Sequence, residues 1–328
     1  MAHENWNELR AYRRRSTAAC AILVALAGLY GFPSANAATA KQTTYSSAEQ
    51  AVDALVAAAR SGNKADLLKI LGPESKKIIS SGDPVADAQT RDKFVAELQE
   101  AEKIVKQGDD RATLVIGNDE WPFPIPLVKR GDSWHFDTKA GEEEILDRRI
   151  GANELHAIEV CLAYVDAQIE YATKDRNNDG FIEYAQQILS SPGKHDGLYW
   201  PAQSGEEESP MGPLMASARA EGYGAAKTRG SHTPYHGYYY RILKAQGKNA
   251  PGGAVDYVVN GHMIGGFALV AFPAQYGASG IMTFIVNHDG VVYQKDLGPN
   301  TVRIAGQMTR FDPDGTWKSP QDAAVRAP

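Results

Sequence analysis

Residues 141–171 read GEEEILDRRIGANELHAIEVCLAYVDAQIEY and predict one long helix, because no proline interrupts them and apolar residues recur at helical spacing. The apolar face is Leu146, Ile150, Ile158, Cys161, Val165 and Ile169. At about 1.5 Å per residue the helix would extend on the order of 45 Å, more than the width of a small domain. We therefore expect it to pass from one lobe of the protein to another.

The chain before this helix predicts a first α+β domain over residues 46–140. Three short helices are expected, the third starting at Thr90 after a loop at 80–89. Four strand-like runs follow them, at 103–105, 112–116, 123–129 and 133–137. Alternate prolines in Trp121-Pro-Phe-Pro-Ile-Pro126 remove N–H donors, so that stretch fits only an edge or a bulged strand. Helices followed by an antiparallel meander indicate an α+β layer.

Residues 141–298 predict a second domain, in which the long helix packs on an antiparallel sheet. Between helix and sheet lies a long loop rich in glycine, proline and glutamate. Residues 299–328 are expected to form an irregular tail, because prolines and aspartates recur there. The predicted strands of this second domain cover 237–244, 254–259, 266–272, 281–286 and 291–295.

The first 37 residues predict an export signal. A basic segment ends at Arg13-Arg14-Arg15, an apolar run covers 18–29, and Ala35-Asn36-Ala37 offers a cleavage site before a linker at 38–45. The apolar run is too short for the roughly 20 residues that span a bilayer. We therefore expect a periplasmic or extracellular protein with no stable membrane span after signal cleavage.

Composition narrows the function classes. The chain has 328 residues, of which 43% are hydrophobic, and this length fits two domains of about 150 residues. The formal charge is −6, and the first 37 residues carry four arginines and two glutamates, so the rest of the chain stands at −8. This charge repels phosphate backbones and argues against nucleic-acid binding. The sequence contains no dinucleotide fingerprint and no phosphate-binding glycine loop, so we expect no nucleotide or organic cofactor.

The clearest chemical signal is the stretch DRNNDGFIE at 175–183. Oxygen-bearing side chains alternate along it, and Gly180 permits a sharp turn, which suits calcium and its six to eight oxygen ligands. The match to an EF-hand loop is partial, because Gln186 stands at the twelfth position. The alternative is a turn that caps the long helix and binds no ion. The candidate ligands are Asp175, Asn177, Asp179 and Glu183.

Other reactive residues give weaker signals. His232 and His236 flank Pro234, which excludes the regular helix of a zinc-binding histidine pair. Five histidines follow residue 190, and a polar pocket would draw on His236 and His262 first; the five are His195, His232, His236, His262 and His288. Cys161 lies on the apolar face of the helix and is expected to be inert packing. Ser279 lacks the strand-turn-helix context of a nucleophile and reads as a loop serine.

Several motifs resemble known families. The small helices and curved sheet ending in KRGDSWHFD resemble the nuclear-transport-factor-2-like (NTF2-like) cone folds, and the later helix with GIMTFIVNHDGVVY resembles the soluble part of type IV pilins and pseudopilins. From about Ser46 to Gly298 the chain resembles an uncharacterised family of secreted bacterial proteins, domain-of-unknown-function family 2950. That match is carried by SSGDPVAD, WPFPIPLVKRG, RRIGANELHAI, DRNNDG and MTFIVNHDGVVYQKDLG. It implies no activity.

These observations predict a non-enzymatic, exported envelope or surface protein that binds or assembles with a protein or an envelope polymer. The Asp-rich loop would be stabilised by calcium. The alternative is a hydrolase of envelope polymers that uses the later histidines as acid or base. Histidines gathered in one concave pocket would favour the hydrolase, and scattered histidines would favour binding.

Overall fold

The predicted long helix is present as α5, Thr138–Tyr171, in the computed structural model, which describes residues 41–202, 205–224 and 233–319. Ile150, Cys161 and Val165 are buried as expected, whereas Ile169 is 54% exposed and its assignment to the buried face is wrong. The buried face instead includes polar and small residues, Asn153, Ala157 and Gln168 among them. The predicted signal peptide at 1–37 lies outside the described residues.

The part of the chain before α5 begins with helices. Its third predicted helix starts earlier than Thr90, because Asp83 accepts hydrogen bonds from the backbone of Val85 and Ala86 while Pro84 occupies the first helical position. The loop predicted at 80–89 is therefore helical from Pro84 onward. The elements are α1 Ala48–Ser61, α2 Lys64–Leu71, a 3₁₀ turn Pro73–Ser75, α3 Lys76–Ile79 and α4 Pro84–Glu100.

An antiparallel sheet follows these helices, in the order β1-β2-β4-β5 with β3 paired to β2. The proline-rich stretch contributes only the two-residue β3, so the prediction of an edge or bulged strand is confirmed. The predicted run at 123–129 becomes a strand only from Leu127. The strands are β1 Glu102–Gln107, β2 Arg111–Ile116, β3 Trp121–Pro122, β4 Leu127–Arg130 and β5 Ser133–Phe136.

A second antiparallel sheet follows α5, in the order β13-β12-β11-β6. The helix packs against its two central strands, β12 and β11. Glu154 of α5 accepts hydrogen bonds from the backbone of Ile281 and Met282, both at 2.9 Å, and so fixes the start of β12. The four strands are β6 Tyr238–Leu243, β11 Ala268–Pro273, β12 Met282–Asn287 and β13 Tyr293–Asp296.

Shorter elements complete this part of the chain. Two pairs of two-residue strands form small ladders, β7 with β8 and β9 with β10. Residues 299–319 contain a helix, α7, and Phe311 is fully buried, so this part of the expected irregular tail packs onto the second sheet. The elements are α6 Gly212–Ala220, β7 Ala245–Gln246, β8 Val255–Asp256, β9 Val258–Val259, β10 His262–Met263 and α7 Thr301–Gly306.

Two hydrophobic cores lie within one compact unit, to which all the described residues belong. The first joins α1, α2, α4 and the first sheet, and Ile145 of α5 packs against it. The second contains the later part of α5, from Ala157 to Tyr171, with the second sheet. The predicted division into domains at 46–140 and 141–298 stays a prediction, because both cores lie in one compact unit and α5 packs against both of them. The α+β class is confirmed, with helices and antiparallel sheets both present.

Two glycines of α5 give a matched pair for testing this packing. A Cβ on Gly141 would stand 2.8 Å from the backbone nitrogen of Ile125 and closer still to the carbonyl of Pro124. We expect Gly141→Ala to lower the free energy of unfolding by at least about 2 kcal/mol, because backbone must move to admit the methyl group. Urea denaturation measures this change.

Gly151 is the control for this substitution. It is exposed in the same helix, and a Cβ there meets nothing within 4 Å. Gly151→Ala should stabilise the protein by up to about 1 kcal/mol, because alanine loses less backbone entropy in a helix. Equal effects of the two substitutions would contradict the close approach of α5 to the first sheet.

Candidate functional site

The Asp-rich loop begins directly after α5 and is shaped by its own carboxylates. Asp175 accepts hydrogen bonds from the backbone N–H of Asp179 at 3.2 Å and of Gly180 at 2.8 Å. Asp179 in turn accepts from the N–H of Phe181 at 3.0 Å. Asn178 and Gly180 adopt positive φ values of 59° and 91°, which asparagine and glycine tolerate best. The alternating Asp and Asn residues therefore close the loop by local hydrogen bonds.

The side chains of Asp179 and Glu183 converge with His262 from strand β10. The Nδ1 atom of His262 lies 3.5 Å from Oδ2 of Asp179 and 3.5 Å from Oε2 of Glu183. The donor atoms of the three residues lie within 4.8 Å of one another, a spacing that could hold a metal ion. Nδ1 of His262 is buried and has no hydrogen-bond partner among the residues that the structure describes. The cluster thus gathers two carboxylates and an imidazole nitrogen with spare binding capacity.

Asn177 lies between the two carboxylates. Its Nδ2 atom donates to Asp179 and to Glu183, both at 2.7 Å, while its Oδ1 accepts from the N–H of Asp179 at 3.3 Å. The amide nitrogen therefore stands between two anionic oxygens, where a cation would also be stabilised. A rotation of the amide would present the oxygen instead, as a further ligand.

The cluster is tied to both neighbouring elements. Glu183 is buried and also accepts from the N–H of Met263 at 2.9 Å, which joins the loop to β10. Phe181 stacks on His262 with ring centroids 4.0 Å apart. A polar cavity of about 460 Å³ opens beside these residues, with Asp196 and Asn260 also on its wall. The site is therefore reachable by a small ion from solvent.

Electrostatics favour the ionised form of Asp179 in this loop. Desolvation opposes the charge of Asp179, but the hydrogen bonds from Phe181 and Asn177 and the nearby His262 outweigh it and lower the pKa of Asp179. Arg176, the buried cation of the loop, points away from the cluster and donates to the carbonyls of Tyr171 and Glu170. It also pairs with Glu207, so its positive charge is already matched outside the site.

The structure thus places the four predicted ligands in two roles. Asp179 and Glu183 face each other across the site, Asn177 bridges them, and Asp175 is engaged by backbone amides. Sequence reasoning missed His262 as a member of this cluster, although it had marked that residue for a polar pocket. Its separation of about eighty positions along the chain from Glu183 gives no local pattern, and the backbone contacts of neighbouring Met263 with Glu183 and Tyr184 bring it here.

A second polar cluster surrounds His236. Its Nε2 lies 2.8 Å from Oε2 of Glu221, and its ring stacks on His156 of α5 with centroids 4.3 Å apart. Its φ of 47° lies in the left-handed region. Buried Asp83, the N-cap of α4, accepts from the hydroxyl of Tyr223 at 3.1 Å and from the N–H of Gly237 at 2.9 Å. The cluster therefore connects α4, α5 and the start of β6.

The remaining histidines lie in other surroundings. His195 stacks on Trp200, and His288 packs edge-on against Tyr257 and Phe267. His232 lies outside the described residues. The late histidines that the structure describes are therefore distributed over separate contacts.

Cys161 is packed as the sequence predicts, and Ser279 lies in a turn, as a loop serine would. Cys161 is fully buried, and burial raises the pKa of its thiol to about 12, which disfavours a reactive thiolate. Ser279 is also fully buried, and its hydroxyl exchanges hydrogen bonds with the backbone of Gln275 at 2.9 and 3.2 Å. Both residues serve the packing of the fold.

Comparison with known proteins gives one match. A family model described as a protein of unknown function, DUF2950, covers residues 42–319. No curated protein and no solved structure matches the chain. The resemblances to NTF2-like folds and to pilins stay predictions. Within the described residues, no helix has both the length and the apolar character needed to cross a membrane.

The His236 cluster predicts sensitivity to acid. Burial lowers the pKa of His236 and stacked His156 lowers it further, whereas Glu221 and Asp83 oppose these effects. The pKa of His236 in the folded protein lies below the ordinary histidine value of 6.5, so the unfolded chain binds more protons. The resulting destabilisation is absent well above pH 6.5 and begins as the pH falls through 6.5. It is complete below the pKa of His236 in the folded protein.

We therefore expect His236→Gln to reduce the loss of stability between about pH 7 and about pH 5. Urea unfolding at a series of pH values measures the slope for each protein. His288→Gln serves as the control, because that ring is exposed and lies outside the His236 cluster. Identical slopes in the wild type and His236→Gln would contradict the assignment.

Proposed function

We propose a function for this chain from the premise that it belongs to the protein family of unknown function DUF2950. The proposal is an exported, non-catalytic envelope or surface protein that binds or assembles with a protein or an envelope polymer, and whose Asp-rich loop is stabilised by calcium. The convergence of Asp179 and Glu183 on one point, with Asn177 between them, carries the calcium assignment. The N-terminal export pattern supports the location.

The donor set fits a divalent cation. Asp179 and Glu183 supply anionic oxygens, and Asn177 would add a neutral oxygen after rotation of its amide. Water would complete the coordination, as the open polar cavity beside the loop allows. His262 contributes a nitrogen, which calcium uses rarely and zinc uses readily, so the two ions are separable by experiment.

The cation would serve structure rather than reaction. Glu183 already joins the loop to β10, and neutralising Asp179 and Glu183 together would remove the repulsion between two neighbouring carboxylates. The end of α5 would then be fixed against the β9–β10 pair. Surfaces built from these two elements would be held in one arrangement, as a binding or assembly protein requires.

Calcium titration followed by thermal unfolding tests the site. Extracellular calcium modules bind at about 10⁻⁴ to 10⁻³ M, so about 10 mM calcium should stabilise the protein by about 2 kcal/mol and raise the midpoint by about 3 °C. Glu183→Gln should remove the rise. Glu208→Gln, which alters an exposed acid outside the cluster, should keep it.

Two results would overturn the calcium assignment. One is an unchanged midpoint at millimolar calcium. The other is a rise with zinc alone that His262→Ala removes, because such a response would assign the cluster to a nitrogen-seeking metal.

The His236 cluster favours one second candidate, a hydrolase acting on envelope polymers. A histidine 2.8 Å from a glutamate, and partly desolvated, has the arrangement of a general base with its orienting carboxylate. If this candidate is correct, the protein should release soluble fragments from purified peptidoglycan, and His236→Gln should reduce the rate by at least about a hundredfold. His195→Gln is the control. Absence of fragments with the wild-type protein would eliminate peptidoglycan hydrolysis.

A further inference from the structure

A large cavity lies in the first core, apart from the cation loop. Its volume is about 860 Å³, which falls in the range of sites for small organic ligands. Helices α1, α2 and α4, the first sheet and the start of α5 supply its walls. Half-buried apolar side chains line it, and they include Leu67, Ile79, Phe94, Trp121, Phe123 and Ile145.

One wall of the cavity is aromatic. The ring centroids of Phe94 and Phe123 lie 5.4 Å apart, and those of Trp121 and Phe123 lie 6.3 Å apart. These rings pack against the first core but remain half-buried, so they present apolar surface to the cavity. An apolar ligand would cover that surface and gain its hydrophobic stabilisation.

Arg149 provides a cation on the wall of this cavity. Its guanidinium donates to the backbone carbonyls of Lys77 and Ile78. Burial lowers the pKa of Arg149, against the opposing charge of Asp87. Within the described ranges no carboxylate forms a salt bridge with Arg149, whereas neighbouring Arg148 pairs with Glu144 at 2.6 Å. A partly desolvated cation without a paired anion would be stabilised by an anionic ligand.

We propose that this cavity binds a single-chain carboxylic amphiphile, a fatty acid, with its chain along the aromatic wall and its carboxylate at Arg149. The inference names a ligand class for the proposed binding role. It rests on the proposed function only because it assumes that the protein binds a ligand. An apolar wall beside a cation that forms no salt bridge within the described residues favours an apolar molecule with one negative group. Arg149 would accept the carboxylate through its remaining N–H donors.

Decanoate and 1-decanol are the probes, because they share a chain length and differ in charge. Isothermal titration of the full-length protein should give decanoate binding at least about tenfold tighter than decanol binding, the gain of a charge-assisted hydrogen bond. Each added methylene should tighten binding by up to roughly fourfold. Arg149→Gln should make the two affinities equal, and Arg60→Gln, which alters an exposed arginine of α1 outside the cavity wall, should preserve the preference.

A cavity-filling variant covers the case in which Arg149→Gln fails to fold. Leu67→Trp should abolish binding of both probes while leaving thermal unfolding cooperative. Absence of decanoate binding, equal binding of the two probes by the wild type, or full binding by Leu67→Trp would overturn the proposal. Affinity should be the same in calcium and in a chelator, so failure of the calcium titration and failure of this inference are distinguishable.

Discussion

The sharing of α5 between two hydrophobic cores is the constraint on which the rest of the structure depends. Ile145 packs with the first core, and residues from Ala157 to Tyr171 are buried in the second. Gly141 lets the helix start against the backbone of Pro124, and Glu154 holds the start of β12. Because one helix packs into both cores, a change at its first turn affects the stability of a single compact unit.

Buried carboxylates reinforce that connection at two places. Asp83 caps α4 and also accepts hydrogen bonds from the hydroxyl of Tyr223 and the N–H of Gly237, which precede the second sheet. Glu183 accepts hydrogen bonds from the side chain of Asn177 in the Asp-rich loop and from the backbone N–H of Met263 in β10. A buried carboxylate requires hydrogen bonds or a cation, so each of these acids fixes the elements that satisfy it. The same requirement makes Glu183 suited to a cation site.

The two proposed ligands would be bound by different interactions in different parts of the compact unit. The loop after α5 offers charge and oxygen donors with little apolar surface, which suits an inorganic cation. The first core offers apolar walls and Arg149, which suits an amphiphile. Because α5 borders the cavity at Arg149 and ends at the loop, both sites lie on its length. A binding protein built in this way keeps its ligand site apart from its stabilising site.

The sequence by itself determined the local elements, because helix periodicity, strand alternation and turn residues are local signals. It gave α5 to within three residues at its start, the edge character of Trp121–Pro122, the buried state of Cys161 and the Asp-rich turn. It wrongly assigned Ile169 to the buried face, because the face that a long helix buries depends on which layer covers each turn. It also placed the start of α4 too late, although Asp83 and Pro84 form a recognisable cap.

Only the tertiary structure decided which distant residues meet. His262 reaches Asp179 and Glu183 through the contacts of Met263 with Glu183 and Tyr184, and His236 reaches His156 through the packing of α5 beside the start of β6. The cavity at Arg149 likewise exists only where helices, sheet and α5 close around it. Sequence patterns record the spacing of neighbours along the chain, whereas a site depends on contacts that the burial of two cores imposes between remote segments.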